Sequence, residues 1–186
     1  MIRKVRREEL PQLIPFVFRI LSDMDLPLLD VVSGDELNQI IADAMESPQY
    51  RYGYEHAWVC EQDNQVVGVL FGYPGEYVSL VDGPFHVALA ERGIEPAEVK
   101  SGEETHSGEW YLDAIVIAPL YRNQGIARRM LQTIDNIARD AGYRKIGLNC
   151  PIENKIAFSL YSDVGFEIRT KTLLGDKVYY HMTKEL

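Results

Sequence analysis

Cysteine is scarce in this sequence: Cys60 and Cys150 are the only two among 186 residues. Each lies at or beside an apolar, strand-like run. Both therefore read as small buried hydrophobes in a reducing compartment, not as a disulfide framework. Long apolar runs are absent too. No stretch approaches the ~20 residues that a membrane-spanning helix needs. The opening MIRKVRREEL has no apolar segment behind its charges, unlike a secretory signal. The expectation is a cytoplasmic protein with no membrane partner. Positive charge is in deficit, with 19 Lys and Arg against 28 Asp and Glu, a formal net charge of −9. That balance argues against nucleic acid as a partner. It suits a cationic substrate drawn to an acidic cleft, and equally an acidity that only keeps the chain soluble. Four histidines, His56, His86, His106 and His181, are scattered without ligand spacing, so no metal site is expected.

What is present is an ordinary globular composition, 46% hydrophobic, enough for one domain over residues 1–186. The most informative stretch is 109–142. Residues 110–117 are apolar and β-branched and predict a buried strand. Pro119 ends it. Ile126, Met130, Leu131, Ile134, Ile137, Ala138 and Ala141 then recur at helical spacing, and Gly142 suits the position after a helix end. Between them lies Arg122-Asn123-Gln124-Gly125-Ile126-Ala127. A helix N-terminus leaves backbone N–H groups unpaired, with partial positive charge. Gly125 and Ala127 remove bulk beside those groups, so the turn could hold an anion, most naturally phosphate. The same residues would also make an ordinary strand-to-helix connection. No Lys follows the Gly and G-x-G-x-x-G is absent, which excludes a P-loop and the dinucleotide fingerprint.

The rest of the chain alternates between the two periodicities. Residues 2–6 predict a short strand, and 8–23 a helix with Pro11 in its first turn and Pro15 inside. Residues 36–46 predict a second helix opened by Ser33-Gly34-Asp35. Strands at 56–62 and 65–73 flank Asp63-Asn64, hairpin chemistry without the usual Gly. Gly68 and Gly72 suggest bulges or close backbone approach. Residues 75–108 form an insertion, partly helical over 77–90 and polar beyond it. It reads as a plain surface loop or as a lid over a substrate site. A strand at 145–149 should run parallel to 110–117 through a right-handed crossover. Asn154 caps a helix to Val164. Strands to Leu174 and over 177–183, the latter closing as an edge strand, complete the order β-α-α-β-β-insert-β-α-β-α-β-β.

Arg122-x-x-Gly125-x-Ala127 resembles the Q/R-x-x-G-x-G/A signature of the GNAT acyl-CoA N-acyltransferases. Downstream, Asn154-x-x-Ala157-x-x-Leu160-Tyr161-x-x-x-Gly165-Phe166 resembles a second segment of the same family. The likeness is sharp over residues 109–170. It implies an α/β (α+β) fold: a mixed sheet of six or seven strands, helices on both faces, and a splayed parallel strand pair. It also implies acetyl-coenzyme A as co-substrate and no metal. Backbone groups of Ile115, Val116 and Ile117 would pair with the pantetheine arm. The N–H groups of Asn123, Gln124, Gly125, Ile126, Ala127 and Arg128 would hold the pyrophosphate, with Arg122 and Arg128 adding charge. Asn154 would contact the arm. Tyr161 would protonate the leaving thiolate, and Asp113 or Glu109, flanking Tyr111 on one strand face, would be the general base.

Within that resemblance a small-molecule amine is the expected acceptor, since a lid-like insertion suits a closed pocket. Protein N-terminal or lysine acetylation is the alternative within the family. Asn149 stands where N-terminal acetyltransferases often carry Glu, which weakens the former. A coenzyme A-binding module without turnover, a homodimer, and a covalent role for Cys150 are left open. The last lacks a nearby His or carboxylate partner in sequence.

Overall fold

Asp63 and Asn64 both take positive φ, 50° and 61°, the left-handed pair that a two-residue hairpin requires. Short polar side chains tolerate that region, so the turn closes without Gly. It joins β2 (Ala57–Gln62) to β3 (Gln65–Pro74). Before them come β1 (Ile2–Lys4), α1 (Leu10–Asp23) and α2 (Gly34–Met45). Ser33 caps α2, its hydroxyl accepting from the Glu36 N–H at 3.2 Å. Pro11 sits in the first turn of α1, where no N–H is needed. This computed structural model describes residues 1–24, 26–95 and 104–186.

After β3 the chain makes α3 (Gly83–Ala90), then β4 (Trp110–Ile117), α4 (Ile126–Asp140), β5 (Lys145–Pro151), α5 (Lys155–Asp163), β6 (Glu167–Leu174) and β7 (Lys177–Glu185). The helix expected within 77–90 is confined to α3. Part of the expected lid or loop, residues 96–103, lies outside the described residues.

One sheet of seven strands has the order β1-β2-β3-β4-β5-β7-β6. Its pairs are antiparallel except β4 with β5, which run parallel across the α4 crossover. Two expectations are corrected here. The strand over 177–183 is not an edge: β7 lies between β5 and β6, and β6 is the edge. The reason is burial. Met182 and Thr183 of β7 are buried, whereas β6 is exposed along most of its length. Pro151 does not stop β5 at Asn149, because the strand continues through Cys150 and pairs Pro151 with Tyr179.

The two faces of the sheet carry separate cores. α1, α2 and α3 pack with Val59, Val69, Phe71, Ala114 and Val116 on one face. α4 and α5 pack with Leu70, Trp110, Leu112, Ile115, Leu148 and Cys150 on the other. Near-complete burial of Ile134, Met130 and Leu131 anchors α4 against the sheet. Gly72 lies where any Cβ would overlap the Trp110 ring, so the sequence hint of close approach is met.

Candidate functional site

Two irregularities in β4 build the site. The first is a bulge: Phe71 pairs with Ala114 but Gly72 pairs with Leu112, so Asp113 is an extra residue. Glu109, Tyr111 and Asp113 still share the α1–α3 face, as alternation predicts. Beyond the bulge the phase flips, so Ala114 and Val116 face that side while Ile115 and Ile117 face α4. The second is a splay. The parallel ladder runs Trp110↔Ile146, Tyr111↔Gly147, Leu112↔Leu148 and stops. β4 remains paired to β3 through Ile117, and β5 to β7 through Pro151. Backbone groups of residues 113–117 on the β5 side therefore border an opening, the strand edge to which an extended ligand can add.

The opening leads to the start of α4. Gly125 holds φ 72° and ψ 9°, a left-handed cap, and Asn123 also has positive φ, 61°. The chain can turn there because Gly carries no Cβ to clash. The Arg122 Nε–H donates to the Ile117 carbonyl at 3.1 Å, tying the turn to the end of β4. Arg129, which the sequence motif does not mark, stiffens the turn by donating from Nη1 to the Gln124 carbonyl at 3.0 Å. Arg128 pairs with Asp163 at 2.7 Å, bridging α4 to α5.

A charge cluster occupies the α1–α3 face. Arg51, which precedes β2, is buried and uses all five of its N–H groups. Nε and Nη2 donate to Asp82 at 2.7 and 2.9 Å. Nη1 donates to Asp113 at 2.8 Å and Glu104 at 3.0 Å, and Nη2 also reaches Glu104 at 3.2 Å. Tyr73 donates its hydroxyl to Asp113 Oδ2 at 2.8 Å. Burial, against the opposing pull of Arg51, pushes the Asp113 carboxyl up to about 6. Burial likewise holds the Tyr73 and Tyr111 phenols well above their ordinary range.

Beside this cluster runs a second chain of hydrogen bonds. Glu109 Oε2 lies 3.0 Å from His181 Nε2, and His181 Nδ1 lies 2.8 Å from Asn149 Oδ1. Asn149 Nδ2 donates to the Glu104 carbonyl at 2.7 Å and to the Tyr111 hydroxyl at 3.2 Å. Thr105 donates to the Gly75 carbonyl at 2.7 Å, so the described end of the insertion is fastened over this face.

Tyr161 lies across the sheet, among the α4–α5 core, with its ring edge-on to Phe166 at 6.0 Å. Burial raises its phenol, with the Cys150 thiol adding in the same direction. Burial also pushes the Cys150 thiol up to about 11, the direction opposite to an activated nucleophile. Both cysteines are free and buried. Asn154 caps α5, its Oδ1 accepting from the Ala157 N–H at 3.0 Å.

The structure thus gathers Glu109 and Asp113 on one face and sets Tyr161 on the other, with the strand opening between. Arg51, Tyr73, Asp82, Glu104 and His181 join the site from outside any motif. His181 carried one readable signal, its place in an alternating strand. A separate cleft of about 270 Å³, lined in part by Lys4, Trp58, Trp110 and Ile137, lies around the start of β4 and touches none of these groups except Tyr73. Among the described residues no group of three or more His, Cys, Asp or Glu could hold a metal ion.

Comparison with known proteins agrees with this geometry. Residues 29–166 match the family described as "Acetyltransferase (GNAT) family". A solved structure described as an acetyltransferase is 34% identical, with TM-score 0.89 over 100% of this chain and 98% of that one. An N-acetyltransferase from Staphylococcus aureus Mu50 is 27% identical, with TM-score 0.85 over 98% and 99%. Among curated proteins, N-acetyltransferase 8F1 of Rattus norvegicus is 25% identical over 76% of this chain and 56% of its own length. The matched stretches span between 22% and 56% of the curated relatives' lengths.

Proposed function

Since this chain belongs to the GNAT acetyltransferase family, we propose that it moves an acetyl group from acetyl-coenzyme A to the primary amine of a small molecule, by direct attack in a ternary complex. The observation that carries this reading is the opened β4–β5 edge leading into the Gly125 turn. Strand edge and helix start fit the two chemistries of coenzyme A, an amide-bearing arm and a pyrophosphate. Ile115, Val116 and Ile117 hold the arm by backbone pairing, with Asn154 at its side. The N–H groups from Asn123 to Arg128 hold the pyrophosphate, and Arg122 adds charge. Bound acetyl-coenzyme A supplies a thioester whose carbonyl the amine attacks and whose sulfur leaves.

Asp113 is the base in this reading. Its Oδ2 is occupied by Arg51 and Tyr73, which leaves Oδ1 to take a proton from the amine. Glu109, tied to His181, has a different task, argued below. Tyr161 donates its proton to the departing sulfur from the α5 side. The pH consequence has a definite sign. Below about 6 the Asp113 carboxyl is protonated and cannot accept, so kcat/KM falls about tenfold per pH unit, and above it the profile levels. Asp113→Asn should remove that acid limb along with most of the rate. An acid limb that survives in a folded Asp113→Asn variant would assign the base elsewhere.

The acceptor's chemistry follows from Arg51. Its N–H groups are all taken by carboxylates, so among the described residues Arg51 offers no open cation to a carboxylate-bearing ligand. Three carboxylates around one guanidinium leave an excess of negative charge. A cationic amine without a neighbouring carboxylate suits such a site. The test is thiol release from acetyl-coenzyme A across a panel of simple amines, α-amino acids and lysine peptides. Simple amines should exceed the α-amino acids in kcat/KM by at least about tenfold, roughly the 1.4 kcal/mol of one unfavourable charge contact. Preference for the peptides would move the acceptor to protein. Binding of coenzyme A without release for any amine would indicate a module without turnover.

A further inference from the structure

We infer that His181 is a positioning residue: paired with Glu109, it fixes the Asn149 amide and, through that amide, the direction of the Tyr111 hydroxyl. The kinetic half of this inference rests on the acetyl-transfer reading, and the protonation half does not.

The argument starts from which atoms can donate. The Glu104 carbonyl oxygen only accepts, and it lies 2.7 Å from one atom of the Asn149 amide. That atom must be Nδ2, because the flipped amide would set two oxygens against each other. Asn149 Oδ1 therefore faces the His181 ring at 2.8 Å, and Nδ1 carries a hydrogen. Nε2 is 3.0 Å from Glu109 Oε2. With Nδ1 already protonated, this second contact requires one further proton, on Nε2 or on the carboxyl. The pair is then neutral as a whole. Neutrality suits its setting, since the two side chains are only 2% and 5% exposed. A buried carboxylate without such a proton would cost several kcal/mol.

The surroundings are shaped around the pair. A Cβ at Gly147 would overlap the Glu109 carboxylate. From the covering segment, His106 packs its ring edge-on against His181 at 4.4 Å. Glu109 stands just before β4, and β5 contributes Gly147 and Asn149.

The consequence reaches Tyr111. Its oxygen accepts from Asn149 Nδ2 at 3.2 Å, so its hydrogen must turn away from Asn149. Burial keeps the phenol protonated. Tyr111 sits on the acceptor face, next to the last paired residue before the strands part. Its O–H is thereby aimed by the pair, as a donor to a hydrogen-bond acceptor on the bound substrates.

The test has two readouts on the full chain. In ¹⁵N NMR of histidine-labelled protein at neutral pH, His181 should show a protonated Nδ1. In Glu109→Gln, Nδ1 should keep its hydrogen and Nε2 should be bare. A neutral wild-type ring bearing hydrogen on Nε2 with Nδ1 bare would overturn the inference, whether or not any variant folds. In kinetics, His181→Gln should lower kcat about ten- to hundredfold, the cost of a misplaced contact, with coenzyme A affinity unchanged. The same substitution in the Tyr111→Phe background should cost no more than about twofold, because coupled residues do not add. An equal loss in both backgrounds, or wild-type kcat in His181→Gln, would reduce His181 to a packing residue and overturn the proposal. If the wild-type chain turned over no amine, the acetyl-transfer reading would fall, and the spectrum would still decide this one.

Discussion

Gly125→Glu is expected to abolish coenzyme A binding while leaving the chain folded. Two effects act together. Gly125 holds φ 72°, a region that L side chains enter at a cost. A carboxylate there would also stand at the start of α4, where the pyrophosphate is proposed to meet the N–H groups. The nearest atom to a new Cβ is Arg129 Nη1 at 3.6 Å, so nothing in the core is disturbed. Titration calorimetry should show affinity weakened by at least about a hundredfold, some 2.7 kcal/mol. Gly125→Ala, which shares the backbone strain without the charge, should bind more tightly than Gly125→Glu. Unchanged affinity in the Glu variant would remove the phosphate turn from the proposed function.

Tyr161→Phe should retain coenzyme A affinity and lose about ten- to ten-thousand-fold in kcat, the range for loss of a general acid. The phenol is raised by burial among the α4–α5 core, so it stays protonated across the neutral range. A protonated hydroxyl is what a departing thiolate needs. The variant removes one oxygen and keeps the ring contact with Phe166, so a loss of rate should come with little loss of stability. Wild-type kcat in the variant would show that Tyr161 only packs.

What the sequence made legible was local. Apolar periodicity over 126–140, the Asn154 cap and the Asp63-Asn64 hairpin each depend on residues a few positions apart. So does the strand–turn–helix unit around Gly125. Alternation along β4 also placed Glu109, Tyr111 and Asp113 on one face correctly. The bulge at Asp113, with the reversed phase of Ile115 and Ile117 behind it, was hidden. It depends on how β4 registers with Gly72 some forty positions earlier in the chain. Arg51 was invisible for a similar reason. It stands in an irregular stretch before β2 and meets Asp82, Glu104 and Asp113 only after the chain folds back. His181 drew no role from the sequence beyond lacking metal-ligand spacing, and sequence order suggested that the strand carrying it closes the sheet at its edge. With β7 placed between β5 and β6, the same histidine faces Asn149 across a buried ladder.

That placement of β7 has a consequence for folding. β6 and β7 form a hairpin from neighbouring residues, whereas β7 and β5 pair over a longer separation. The hairpin can form early, and its docking on β5 is the slower, non-local event. Docking brings His181 to Asn149 and Glu109 in the same motion that completes the sheet. The hydrogen-bond chain at the site and the last step of sheet assembly are therefore one cooperative unit. Amide hydrogens of Asn149, His181 and Met182 should exchange together, at rates close to those of the most protected amides in the sheet.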